Sequence, residues 1–357
     1  STDTSGQRFA IAGKFKTGVG GVTPLDDSVV LVVDHNGGLD AADQENRILP
    51  GTGGPVRLGQ ISPRVAFANK MYVYHAAIQS TLVREGLFLG IFVPGPGPTG
   101  AQMSGQGDTV AGAQINRYLG ETVSGDDKVV FRAQVLGTNI TPANNEMLIS
   151  TRFNNLEMIL QKGKEVGSTL FAPGVTLSKV LRFWAVNGSR VVALVQMKGT
   201  SISAVNDLAL IVANEGTGNF TLLMQEGQTA PGCDASLINV IQSVEIDSED
   251  GSYFILASLR GSVAGQDQAL FAGKISATSL AQSTLRRPFL ELRKGSLFRT
   301  SFGNQAKITS MSFGTRSSDA TGASEKGLQT AVGEDRRAAM ILKFSDGSTQ
   351  AVEVALE

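Results

Sequence analysis

The chain has 357 residues, with 31 Lys and Arg against 32 Asp and Glu, and its net charge of −1 supplies no polybasic or acidic field for nucleic acid or a membrane surface. Its one cysteine, Cys233, excludes an intramolecular disulfide and a cysteine-based zinc site. Charged residues are 18%, below the usual share, and the 42 glycines suit short strands joined by tight turns.

Read from the N-terminus, one strand pattern recurs. Gly6 precedes QRFAIAGKF, Lys70 precedes MYVYHAAIQ, and Asp127 precedes KVVFRAQVL. Ser189, Gly251 and Arg337 stand in the same place before RVVALVQMK, SYFILASLR and AAMILKFSD. The spacing is roughly 60 residues with one late insertion, a period expected of a repeat architecture. Glycine-punctuated turns keep step with it at residues 50–54, 107–112, 163–167, 227–232 and 295–296. Within a period the alternation predicts four short strands: 129–136, 146–153, 156–161 and 177–186 in the third unit, and 190–197, 207–213, 220–225 and 237–246 in the fourth. Runs such as VVALVQM and LALIVA are apolar throughout, so these strands are expected to be covered on both faces.

Four strands per unit, repeated, predict an all-β propeller of about six four-stranded blades, with five to seven compatible with the spacing. A pair of β-sandwiches is the weaker alternative, because it does not require two landmarks in phase. The whole chain is expected to form one propeller domain whose two ends complete one blade together. Three stretches interrupt the pattern, near 36–47, 277–287 and 315–333. In the first, Gly37 to Arg47 is the best helical candidate, and the last is a long polar loop. Loops on a rigid scaffold are where binding residues concentrate.

Several side chains are candidates for a site. Six residues before the anchor stand Arg64, Glu121, Phe183 and Glu245, which equal spacing would place at one height around the channel. Convergent polar groups in a concavity are a binding-site signal, and the bland reading is strand-end charges facing water. Arg132 and Arg182 interrupt apolar strands, where a charge requires a carboxylate or carbonyl partner. Arg132 is kept as a ligand-binding candidate, although a structural role is preferred. Asp34, Asn36, Asp40, Asp43 and Glu45 have the oxygen spacing of a calcium loop, yet Leu39 stands where the sharp-turn glycine belongs. A solvated helix with an acidic first turn is the preferred reading there, with calcium as the one candidate cofactor. His35 and His75 read as structural imidazoles, and Cys233 as a small turn residue. Asp247, Glu249 and Asp250 read as a solvated hairpin turn. No nucleophile elbow, zinc-protease, phosphate-loop or dinucleotide motif occurs.

The segments E-G-Q-T-A-P-G from Glu226 to Gly232 and G-S-Y-F-I-L-A from Gly251 to Ala257 carry a resemblance, as does Gly6 to Ala12. They resemble the bacterial tandem-repeat propeller family with consensus N-x-x-G-x-x-x-x-x-A. Lys70, Asp127 and Ser189 depart from its glycine, and Ser124 and Ser248 from its asparagine. The resemblance implies a propeller in an exported or surface-anchored protein and transfers no catalytic residue. The function expected is therefore a non-enzymatic extracytoplasmic module that binds or scaffolds a protein or surface polysaccharide. Nucleic acid and membrane insertion are not expected. The alternative is a glycan-cleaving hydrolase or lyase using Glu121 and Glu245 as paired carboxylates.

Overall fold

Strands rich in Val, Ile, Leu and Ala with side chains on alternate faces can bury both faces only if a sheet lies on each side. The computed structural model describes residues 9–33, 38–49, 56–63, 65–68, 71–80, 83–91, 100–152, 155–166, 170–275, 286–301, 303–313, 332–333 and 337–356. Among them every regular element is a strand.

The strands fall into six sheets in chain order. The first is β1 (Phe9–Lys14), β2 (Ser28–Val33) and β3 (Leu39–Gln44). The second holds β4 (Arg57–Ile61), β5 (Ala66–Ala68), β6 (Met71–Gln79), β7 (Glu85–Ile91) and β8 (Ala101–Gly105), with β4 and β5 both paired to β6. The third holds β9 (Thr109–Val110), β10 (Ala113–Val123), β11 (Val129–Leu136), β12 (Glu146–Arg152) and β13 (Asn155–Gln161). The fourth is β14 (Thr176–Val186), β15 (Arg190–Lys198), β16 (Leu208–Asn214) and β17 (Asn219–Gln225). The fifth is β18 (Leu237–Ile246), β19 (Ser252–Arg260), β20 (Gln268–Lys274) and β21 (Arg286–Arg293). The sixth holds β22 (Leu297–Arg299), β23 (Gln305–Phe313), β24 (Val332–Gly333), β25 (Arg337–Phe344) and β26 (Thr349–Ala355).

Neighbours in each sheet are antiparallel, and the cores lie between consecutive sheets. Along β15, Val191, Ala193 and Val195 enter the core shared with the third sheet, while Val192 and Leu194 enter the core shared with the fifth. β19 repeats this, with Ile255 and Ala257 facing back and Phe254 and Leu256 facing forward. Full burial of one such side chain contributes about 1.5–3 kcal/mol, so strands covered on both faces bind successive sheets firmly. Successive antiparallel sheets of three to five strands packed face to face in this order are a β-propeller.

Two expectations are corrected here. The segment 39–44 is strand rather than helix, because the β-branched run of β2 pairs with it from Val33↔Leu39 to Val29↔Gln44. Local helical propensity yields to an available sheet edge. The chain ends also do not share a sheet among the described residues: β1 pairs with β2, and β26 pairs with β25. Each end takes its sequence-local hairpin partner. The stretch 315–331, most of 277–287, His35 and the anchors Gly6 and Lys70 lie outside the described residues.

Candidate functional site

Polar side chains gather where the inner strand of one sheet meets the preceding sheet. Glu121 on β10 is buried, and both its carboxylate oxygens meet His75 Nδ1 on β6, at 3.1 and 2.9 Å. The His75 ring stacks on Tyr118 at 6.3 Å, and the Tyr118 hydroxyl donates to Ser104 Oγ at 2.8 Å. Ser104 Oγ donates in turn to Asp108 Oδ2 at 3.1 Å, and the Tyr118 amide donates to Glu85 at 3.0 Å. Burial, with Asp108, Glu85 and Glu121 nearby, raises the Tyr118 phenol far above its usual range, so it stays a neutral donor. The result is an imidazole and a carboxylate joined across two sheets and backed by a hydroxyl chain. Such a pair can position or exchange a proton. Sequence reading treated His75 alone; the signal that finds it is its place on the face of β6 that also carries Met71 and Val73 toward the third sheet.

The predicted set does not stay in phase. In the third sheet Glu121 pairs with Phe131, which faces back toward the second sheet. The turn from β18 to β19 is one residue longer, so the residue opposite the corresponding Ile255 is Val244. Glu245 lies opposite Phe254, whose side chain faces forward to the sixth sheet. A shift of one residue turns a strand side chain to the other face, so Glu121 and Glu245 project from opposite faces of sheets that are not neighbours. Both are buried rather than at water. Arg64 lies outside the described residues.

The two strand arginines meet carbonyls on the next sheet. Arg132 Nη1 donates to the Val180 carbonyl at 2.6 Å, and Arg182 Nη1 to the Val244 carbonyl at 3.3 Å. Arg182 also lies 5.0 Å above the Trp184 ring.

At the first joint, Asp43 accepts Arg47 Nε and Nη2 at 2.6 and 2.7 Å and the Tyr74 hydroxyl of the second sheet. Beside it an open cleft of about 340 Å³ is lined by Asp26, Gln44, Asn46 and Arg47, together with Ala41, Asp43 and Glu45. Asp34 and Asn36 of the calcium set lie outside the described residues, and Asp40 is exposed on β3. Glu45 accepts the Ser28 amide at 3.2 Å and its hydroxyl at 2.6 Å, apart from Asp43. No three His, Cys, Asp or Glu side chains gather as a metal site among the described residues.

Asp247 departs from the solvated-turn expectation. It is buried, and burial pushes its carboxyl up to about 6 although the Glu249 amide donates to it at 2.8 Å. A folded value above the unfolded one adds stability that is fully present below the unfolded value near 4 and lost as pH rises through about 6. Asp247→Asn keeps the acceptor oxygen. It is expected to remove about 2–3 kcal/mol of the stability lost between pH 4 and 8, read by urea unfolding at both pH values. An unchanged pH slope would disprove this assignment.

A sequence profile described as "Family of unknown function (DUF7453)" matches residues 12–354. The chain belongs to the DUF7453 family. No curated protein matches this DUF7453 member. Among solved structures it is similar to the periplasmic gluconolactonase of Pseudomonas aeruginosa, at 11% identity over 98% of this chain and 96% of that one, with a TM-score of 0.31. It is also similar to the oligogalacturonate lyase of Vibrio parahaemolyticus, at 9% identity over 98% of this chain and 75% of that one, with a TM-score of 0.43. A third is the fucose-specific lectin of Aleuria aurantia, at 11% identity over 99% and 93%, with a TM-score of 0.27.

Proposed function

We propose that this DUF7453 protein is an extracytoplasmic β-propeller that binds or scaffolds a protein or surface polysaccharide without cleaving it. We also place it beside the exported repeat propellers of consensus N-x-x-G-x-x-x-x-x-A, on the segments from Glu226 to Gly232 and Gly251 to Ala257. One observation carries the reading. The buried acidic side chains that come together are occupied in joining sheets: Glu121 with His75, Asp43 with Arg47 and Tyr74, and Glu215 with Lys128. Such joints stiffen a scaffold that presents loops and clefts.

The test is binding of the purified chain to a glycan array and to cell-envelope fractions, with calcium and with chelator, followed by mass analysis of the bound material. Intact bound material supports the reading, and shortened glycan replaces it with hydrolase or lyase chemistry. The Glu121–His75 contact favours that second reading, since a carboxylate held on an imidazole is an acid–base device. Glu121→Gln separates the two. As a joint, it should lower stability by about 1–3 kcal/mol and leave ligand affinity unchanged. As a catalytic group, its loss should abolish glycan shortening at unchanged binding.

A further inference from the structure

In a propeller the sheets stand around a central channel, and the first long strands of adjacent sheets meet here, with β10 lying against β5 on one side and β14 on the other. These strands break the charge balance of the chain. β4, β10, β14, β18 and β23 carry the cations Arg57, Arg117, Lys179, Arg182 and Lys307, against the carboxylates Glu121 and Glu245 only. Both carboxylates are buried. Arg57 donates to the carbonyl and side chain of Asn46, and Arg182 is held by the Val244 carbonyl and Trp184. Arg117, Lys179 and Lys307 are exposed, and among the described residues none of them has an ion-pair partner. The exposed charge on these strands is therefore wholly positive, in a chain that is otherwise balanced.

Register places two of these cations at equivalent positions of neighbouring sheets. Arg117 pairs across with Gln134 and Lys179 with Gln196, the matching partners in the two sheets, and β10 and β14 lie against each other. Each follows a bulge, at Asn116 and at Ser178. A bulge sets two successive side chains against one partner and re-aims them. Each strand thus offers a cation beside an amide or a hydroxyl. Cations hold carboxylate or sulfate through charge-assisted hydrogen bonds, and the neutral neighbours suit sugar hydroxyls. A nucleic-acid strand would also need exposed rings for base stacking, but Tyr118, Phe183, Trp184 and Phe313 on these strands are all buried.

We propose that the channel face around Arg117 and Lys179 binds an acidic oligosaccharide. This rests on the polysaccharide reading above and narrows its ligand to sugars bearing carboxylate or sulfate. The test titrates the intact chain with neutral, carboxymethylated and sulfated dextrans of one length at several salt concentrations. The charged dextrans are expected to bind and the neutral one not, the better of the two charged forms naming the anionic group. Arg117→Gln with Lys179→Gln should weaken binding about tenfold or more and lower the salt slope by roughly one per cation removed, at an unchanged melting midpoint. The control Lys16→Gln, exposed and outside these strands, should bind as the parent does.

Equal binding by the parent and the Arg117/Lys179 variant overturns the site. Tighter binding of single-stranded DNA of equal charge overturns the ligand class. Binding of neutral glycans alone overturns this inference and leaves the polysaccharide reading standing. Failure of every glycan, charged or neutral, removes both.

Discussion

Alanine at Lys128 is expected to lower the unfolding free energy by about 3–5 kcal/mol, the range seen when one partner of a buried charge pair is removed. Lys128 directly precedes β11 of the third sheet but bonds to the fourth. Its Nζ donates to the carbonyls of Val186 at 2.5 Å and Arg190 at 2.7 Å, and lies 3.4 Å from Glu215 Oε2. The side chains of Lys128 and Glu215 are 6% and 0% exposed, so water cannot replace the lost partner. Burial lowers the Lys128 ammonium below its usual value and Glu215 opposes that shift. Alanine would strand two carbonyls and a carboxylate that keeps the Ser150 hydroxyl.

Urea unfolding of Lys128→Ala, Glu215→Leu and the double change Lys128→Met/Glu215→Leu measures the pair. The double change is expected to be milder than either single one, because an apolar pair leaves no buried charge. Strictly additive losses would show that the two groups do not act together. Arg190 repeats the device one sheet on, with Nη1 donating to the Ile275 carbonyl at 2.6 Å. Cationic side chains bonded to carbonyls of the following sheet are thus a recurring joint.

Much of this fold was legible in the sequence because its signals are local. Strand β18 spans the predicted 237–246 and β11 the predicted 129–136, since alternation and glycine turns bound them without help from the rest of the chain. The site was less legible. Equal spacing from the anchor assumed equal turns, and the longer turn after Ile246 moved Glu245 to the other face. The helix expected over 37–47 failed for a non-local reason, the open edge of β2. His75 with Glu121, and Arg47 with Tyr74, join residues of different units, and no single-unit pattern encodes such a pair.

Asp43→Ala should lower stability by about 3–5 kcal/mol and, through the same contacts, deform the cleft beside it. The Asp43 carboxylate is fully buried and receives both nitrogens of the Arg47 fork, the Tyr74 hydroxyl and the Gln44 amide at 2.9 Å. Arg47 Nη2 also donates to the Gly100 carbonyl at 2.8 Å, which ties the start of β8 in the second sheet to the first sheet. The space is full there: a Cβ on Gly100 would stand 2.5 Å from Asp43 Oδ2. Tyr74 stacks on Phe88 at 5.5 Å, so its ring cannot turn its hydroxyl toward another acceptor without breaking that packing. Removing the carboxylate therefore leaves a buried phenol and a half-buried guanidinium with one main acceptor between them. Tyr74→Phe alone should cost about 1 kcal/mol, and in the Asp43→Ala background it should cost nothing or restore stability, because the stranded hydroxyl is gone. Thermal and urea unfolding of the three variants decides the matter. Equal cost of Tyr74→Phe in both backgrounds would mean that the hydroxyl finds another partner and that the joint does not depend on Asp43.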